Sequence, residues 1–145
     1  MTSIEPALDS DRPAMEGLLA GSGLPLDGLG AAMPTAVVAR GETGVVGCAA
    51  IETYGSAGLL RSVCVAHDLR GTGLGRRLVG AVEALAAAHD IVELYLLTDT
   101  AERWFPRLGY RPTTRASVPP ELTASPEFTS ACPESAAVLH KRLNV

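Results

Sequence analysis

Along this chain the spacing of apolar positions changes, and each change marks a new kind of element. Ser10-Asp11-Arg12-Pro13 is a polar cap followed by an early proline, which predicts a helix start. Leu18 and Leu19 supply that helix with apolar contacts, and Gly21 to Gly23 close it. Leu24 to Ala32 reads as a second short helix. Thr35 to Ala39 is a strand, Gly41-Glu42-Thr43-Gly44 has hairpin-turn chemistry, and Val45 to Tyr54 is a long, mostly buried strand. Gly55-Ser56-Ala57 is a second turn, and Gly58 to Val65 is the next strand. Three strands joined by two tight turns predict an antiparallel meander. From Gly73 the period lengthens. Leu74, Leu78, Val82 and Leu85 fall on one face of a helix that ends near His89-Asp90. Ile91 to Leu97 is again an apolar strand, so strand, helix and strand form a right-handed crossover with parallel strands.

The rest of the chain is more broken. Thr100 to Leu108 predicts a short helix stopped by Gly109. Six of the ten prolines lie between Pro106 and Pro133, which predicts irregular, turn-rich chain. Within it, Ser125-Pro126-Glu127 looks like another helix start, and Ser135 to Leu139 is a last strand. The sum is one α+β domain over residues 1–145, with a mixed, mostly antiparallel sheet and one parallel βαβ unit.

Composition narrows the function classes. Apolar residues make up 47% and charged residues 19% of the 145, the balance of a chain with a full core. A net charge of −4 with only 4% aromatics argues against nucleic-acid binding. No apolar run reaches the length of a membrane span, and the first residues lack the basic and apolar regions of a signal peptide. Cys48, Cys64 and Cys132 have no paired spacing, so buried thiols in a cytoplasmic protein are expected, and no metal site. The charge is uneven. Residues 1–60 hold two Arg against seven acids, and residues 61–115 hold eight Arg against six acids. A basic middle in an acidic chain suits a small anionic ligand there, or a solvated face.

Arg70-Gly71-Thr72-Gly73-Leu74-Gly75 sits between a strand and an amphipathic helix. Closely spaced glycines let backbone N–H groups converge on a ligand, the helix N-terminus adds about half a positive charge, and Arg70 and Arg76 flank the loop as cations. A P-loop would need Lys-Ser/Thr after the last glycine, where Arg76-Arg77 stand. A dinucleotide fingerprint needs G-x-G-x-x-G, and the spacing here is G-x-G-x-G. An acyl-CoA pyrophosphate loop, R-x-x-G-x-G, fits every position. An ordinary glycine-rich turn is the plain alternative.

The meander, this loop, the helix and strand after it, and then Ala101 to Tyr110 resemble the GNAT family of N-acetyltransferases across nearly the whole chain. Ala101, Gly109 and Tyr110 match the family's A-x-x-x-Y-x-x-x-G-F pattern. Gly58 to Ser62, Leu94 to Thr98, Arg115 to Pro119, Glu127-Phe128 and Cys132-Pro133 resemble its branch encoded with bacterial arsenic-resistance genes. The resemblance implies the GNAT fold and an acetyl-CoA-dependent acetyltransferase for a small, acidic, amino-acid-like amine, with a detoxifying role. Charge and composition give no nucleic-acid or membrane partner, and self-association as a homodimer is a further expectation. The alternatives are transfer to another amine, such as a polyamine or protein N-terminus, and a non-catalytic acyl-CoA sensor.

By the same resemblance, the amides of Gly71, Thr72, Gly73, Leu74 and Gly75 hold the CoA pyrophosphate, and the backbone of Val63 and Val65 pairs with the pantetheine arm. Phe105 stands where many members have a tyrosine that protonates the leaving thiolate, so that donor is missing. Thr98 is either a proton donor or a strand-end side chain satisfied locally. Glu52, near the end of an apolar strand, is either a base that relays the amine's proton through water or a solvent-facing residue. Arg61 is either a clamp for a substrate anion or a charge on the exposed face of its strand, with Tyr54 and Arg115 as further candidates for the same pocket.

Overall fold

Side chains that alternate across each strand divide the core into an upper and a lower layer, and the elements follow from that division. In the computed structural model, which describes residues 2–131 and 136–143, a short strand β1 (Ser3–Pro6) leads to helix α1 (Arg12–Gly21) and a one-turn helix α2 (Leu29–Ala32). The meander β2 (Ala36–Gly41), β3 (Gly44–Tyr54) and β4 (Ala57–Val65) follows, then helix α3 (Leu74–Ala88) and strand β5 (Glu93–Thr98). Strand β6 (Arg111–Thr113), a one-turn helix α4 (Pro120–Thr123) and strand β7 (Ala137–Arg142) complete the described elements. The sheet order is β1-β2-β3-β4-β5-β7-β6, antiparallel except for β4 beside β5.

One face carries α3. Val37, Ala39, Ala49, Ile51, Leu60, Leu94 and Leu96 meet Leu74, Leu78 and Val82 of that helix there. On the other face, Ala36, Val38, Cys48 and Ala50 pack against Met15 and Leu19 of α1. Further along that face, Leu59, Tyr95 and Leu97 pack against Val118 and Leu122. Among the described residues no helix is long and apolar enough to cross a membrane.

The meander, the crossover and α3 lie where the pattern of the chain places them. Strands β1 and β6 were not expected. They are the two edges of the sheet, and each contains a proline, Pro6 or Pro112, a residue that an edge tolerates because it donates no ladder hydrogen bond. The helix expected over Thr100–Leu108 is a turn followed by a tight 3-10 turn at Phe105–Leu108, because Pro106 withholds one N–H and Trp104 and Arg107 bond only three residues back. The helix expected from Ser125 is present as one wide π-helical turn over Glu127–Ala131, with Phe128 and Thr129 bonding back to the Ser125 carbonyl. The last strand begins at Ala137. Cys132, Pro133 and Ser135 lie outside the described residues.

One irregularity positions the site. β4 pairs with β5 only from Ala57 to Leu60, opposite Glu93 to Leu96, yet β4 runs on to Val65 with β3 as its partner. Beyond Leu60 the two strands therefore part. At the same point a bulge sets two residues of β4 against Ala49, with Ser62 in the left-handed region at φ 59°. The bulge shifts the alternation by one, so Val63 and Val65, and not Ser62 and Cys64, pack with Leu60 on the α3 side.

Candidate active site

The parting of β4 from β5 opens a groove of about 530 Å³, lined by Val63, Val65 and Leu69 on one side and by Ala101, Trp104 and Phe105 on the other. Gly71, Gly73 and Gly75 and the cations Arg70, Arg76 and Arg107 close one end. The loop supports the groove by its own bonds. Arg70 donates from Nε to the Val65 carbonyl (3.3 Å) and from a terminal nitrogen to Ser22 Oγ (3.0 Å), and Thr72 Oγ1 donates to the Leu69 carbonyl (2.6 Å). Gly73 caps α3 in the left-handed region at φ 86°, a turn that L side chains rarely adopt and that aims the first amides of the helix outward. A Cβ built on Gly71 or Gly73 meets nothing within 4 Å, so both glycines face open space. Three cations, a fifteen-residue helix presenting its N-terminus, and apolar walls leading inward suit a ligand with a phosphate head and an apolar tail, which is the chemistry of coenzyme A.

Inward, the groove meets a second cavity of about 160 Å³. Val63, Ala101 and Phe105 border both. The Phe105 ring is buried, edge-on to Trp104 (4.9 Å between centroids) and to Tyr110 (5.6 Å). The walls of the second cavity include Pro25, Arg61, Ser62, Thr98, Asp99 and Glu127. These come from the loop after α1, the bulge of β4, the end of β5 and the wide turn at Glu127.

Arg61 and Glu52 form a buried ion pair. The Arg61 side chain has 0% exposure and donates to Glu52 Oε2 at 2.7 Å, to Ser62 Oγ at 3.0 Å and to the Pro25 carbonyl at 3.4 Å. Tyr54 donates its hydroxyl to the other oxygen of Glu52. Burial and the neighbouring Glu52 carboxylate raise the Tyr54 phenol above its ordinary range. Gly28, at φ 84°, lies over the pair. A Cβ there would stand 2.8 Å from an Arg61 nitrogen, so only glycine lets this loop seal the site.

Most of the residues singled out in the sequence gather here. Arg61 and Thr98 reach the inner cavity, and Val63, Val65, Arg70, Gly71, Gly73, Gly75, Arg76 and Phe105 border the groove. Glu52 does not face solvent. It stands behind Arg61 and is not on the cavity wall, and neither is Tyr54. Arg61 likewise is no charge on an exposed strand face. Thr98 accepts the N–H groups of Ala101 (2.9 Å) and Thr100 (3.3 Å), the locally satisfied arrangement. Thr72 and Leu74 are off the groove wall, and the Leu74 side chain is core, so only their backbone is available to a ligand. Arg115 stacks on Phe128 (5.5 Å) away from the cavity wall. Sequence reasoning missed Trp104, Arg107 and Glu127. Trp104 packs on the last glycine of the loop, since a Cβ on Gly75 would stand 3.2 Å from the indole ring, a contact that no spacing in the sequence announces.

The model of the acetyltransferase (GNAT) domain matches residues 34–112, more than half of the chain. The chain belongs to this family. It is 39% identical over 77 residues to an amino-acid acetyltransferase of Ralstonia nicotianae, a match that covers 52% of this chain and 17% of that protein. The chain thus spans less than a fifth of the length of that curated relative. Its fold is that of N-acetylglutamate synthase from Neisseria gonorrhoeae complexed with coenzyme A and N-acetyl-glutamate, with a TM-score of 0.85 at 21% identity over 100% of this chain and 36% of that one. A Mycobacterium tuberculosis protein solved in complex with CoA has a TM-score of 0.81 at 22% identity, over 98% of this chain and 99% of that one.

Proposed function

We propose that the protein is an acetyl-CoA-dependent N-acetyltransferase for a small amine of amino-acid type. The observation that carries this reading is the continuity of groove and inner cavity at Val63, Ala101 and Phe105, which puts the end of an extended ligand beside a chamber for an acceptor. Acetyl-CoA supplies the thioester. The chain's own residues bind and orient it. The amides of residues 71 to 75 and the cations Arg70, Arg76 and Arg107 take the pyrophosphate, and the exposed edge of β4 at Val63 and Val65 takes the pantetheine arm. Phe105 packs beside the reacting carbon and excludes water. It has no proton to give, and a thiolate with an ordinary pKa of about 8.5 leaves without one.

Arg61 is the cation on the inner wall, and it supports an acceptor with a carboxylate. Glu52 and Tyr54 hold Arg61 in place and do not touch the acceptor. Arg115, stacked on Phe128, stands off the cavity wall. The relatives named above are an amino-acid acetyltransferase and an N-acetylglutamate synthase, which supports the same acceptor class. Acetylation masks the amine, the detoxifying outcome that the arsenic-resistance resemblance implies. A second reading, a non-catalytic acyl-CoA sensor, has Phe105 in its favour.

The test is thiol release from acetyl-CoA with amino acids, polyamines and short peptides as acceptors. Release with amino acids is expected. Release only with polyamines or peptides would reassign the acceptor, and protection against melting by acetyl-CoA without any release would favour the sensor.

A further inference from the structure

Charged residues are unevenly placed on the inner cavity. Its wall carries one cation, Arg61, and two carboxylates, Asp99 and Glu127. Arg61 is already matched by Glu52 at 2.7 Å. Among the described residues, the wall thus presents two carboxylates, Asp99 and Glu127, beside a cation that is already engaged. Such a chamber draws a cation, and an acceptor amine enters as an ammonium. It must shed a proton before its nitrogen can attack.

The carboxylate placed to receive that proton is not Glu52. Glu52 lies off the wall and holds both Arg61 and the Tyr54 hydroxyl. Asp99 is at the exposed rim. Glu127 is on the wall and only 5% exposed. Its backbone is fixed, because its N–H donates to Ser125 Oγ at 3.1 Å and Thr129 and Phe128 bond back to the Ser125 carbonyl. Pro126 beside it packs over the Gly28 loop that seals Arg61.

On the reading that the cavity is an acceptor site, we infer that Glu127 binds the acceptor ammonium and is the base that removes its proton. One N–H bond of the ammonium breaks and its proton passes to the Glu127 carboxylate. The freed nitrogen lone pair forms the bond to the acetyl carbon. The carbon–sulfur bond breaks with its electron pair on sulfur, and the second nitrogen proton ends on that thiolate. The products are an amide and a thiol, and Glu127 returns its proton to water. Among the described residues, the charged and titratable groups of this wall and its surroundings include Arg61 from β4, Asp99 after β5, Glu52 and Tyr54 from β3, and Arg115 on the neighbouring Phe128.

The experiment measures protein-dependent thiol release from acetyl-CoA, with the protein-free rate subtracted, using the common amino acids one by one and hydroxylamine, which is neutral near neutral pH. Glu127→Gln should lower kcat/KM for amino acids by about tenfold or more near pH 7, and the deficit should shrink as pH rises and the amine deprotonates unaided. For hydroxylamine the loss should be several-fold smaller. An equal loss for both, or a deficit independent of pH, overturns the inference. So does a wild type that uses hydroxylamine and no amino acid. If the wild type releases thiol with neither, the acetyl-transfer reading falls and this inference with it. Protection of each variant by CoA against melting reports its fold. Should Glu127→Gln not fold, Glu127→Asp keeps the charge and withdraws it by a methylene, and the same contrast between the two amines decides.

Discussion

Arg61 and Glu52 are diagonal neighbours on β4 and β3, because Glu52 stands opposite Leu59, and both are sealed from solvent at 2.7 Å. A pair of this kind is costly to break from one side. Arg61→Met leaves the Glu52 carboxylate buried beside one phenol, and unfolding by denaturant should show a loss of about 3–5 kcal/mol. Arg61→Met with Glu52→Gln should cost less than the sum of the two single changes, since the double variant buries no lone charge. Strict additivity would mean that the two residues do not act as a pair. Activity lost in Arg61 variants therefore reports fold as well as acceptor binding.

Gly75 separates cofactor affinity from stability. It lies in the first turn of α3 with ordinary helical φ, and its Cβ position is 3.2 Å from the Trp104 ring. Gly75→Ala should push Trp104 into the groove and weaken CoA binding, while the change to a better helix former offsets the crowding by up to about 1 kcal/mol. Titration calorimetry should show the weaker Kd with an unloaded melting temperature close to wild type. Unchanged affinity would mean that the groove is not the CoA site. Gly73 is a poorer test, because its φ of 86° makes any side chain there strained.

These two cases also mark what the sequence could convey. The glycine loop, α3 and the meander come from local spacing, and they are legible because each signal lies within a few residues. The Arg61–Glu52 pair depends on register. A two-residue turn at Gly55-Ser56, pairing Tyr54 with Ala57, puts Glu52 and Arg61 on one face, whereas a three-residue turn over Gly55 to Ala57 hides the relation. Glu127 and Arg107 join the site from distant loops, and no spacing in the chain brings them there. Strands β1 and β6 are short and polar, with half or more of each exposed at a sheet edge, so neither has an apolar alternation to read.

Asp11 should contribute to stability in a pH-dependent way. Its carboxylate receives two hydrogen bonds from Arg40, both at 2.7 Å, and these hold its pKa below the ordinary value of 3.8. The contribution is complete above that ordinary value and is lost as pH falls through the lowered one. Wild type should therefore lose more stability than Asp11→Asn between about pH 6 and about pH 2 in urea melts. Parallel curves would remove Asp11 from the account of acid unfolding.

Glu83 joins α3 to β7 and to Tyr110 just before β6. It accepts from the Tyr110 hydroxyl at 2.8 Å and from Lys141 Nζ at 3.0 Å, and burial with the Glu83 charge raises the Tyr110 phenol far above its usual range. Glu83→Ala leaves a buried hydroxyl without its acceptor and should cost about 1–3 kcal/mol, with CoA affinity unchanged. Denaturant midpoints and CoA titration on the same variant check both halves.

The continuity of groove and inner cavity is tested most directly by single-turnover mass spectrometry. Protein in excess over acetyl-CoA is mixed with an amino acid that supports thiol release, and N-acetylated amine and free thiol are counted together. The two should appear in equal amounts and at the same rate. Thiol formed without acetylated amine, or acetyl-CoA bound and left intact, would contradict transfer across the junction at Val63, Ala101 and Phe105.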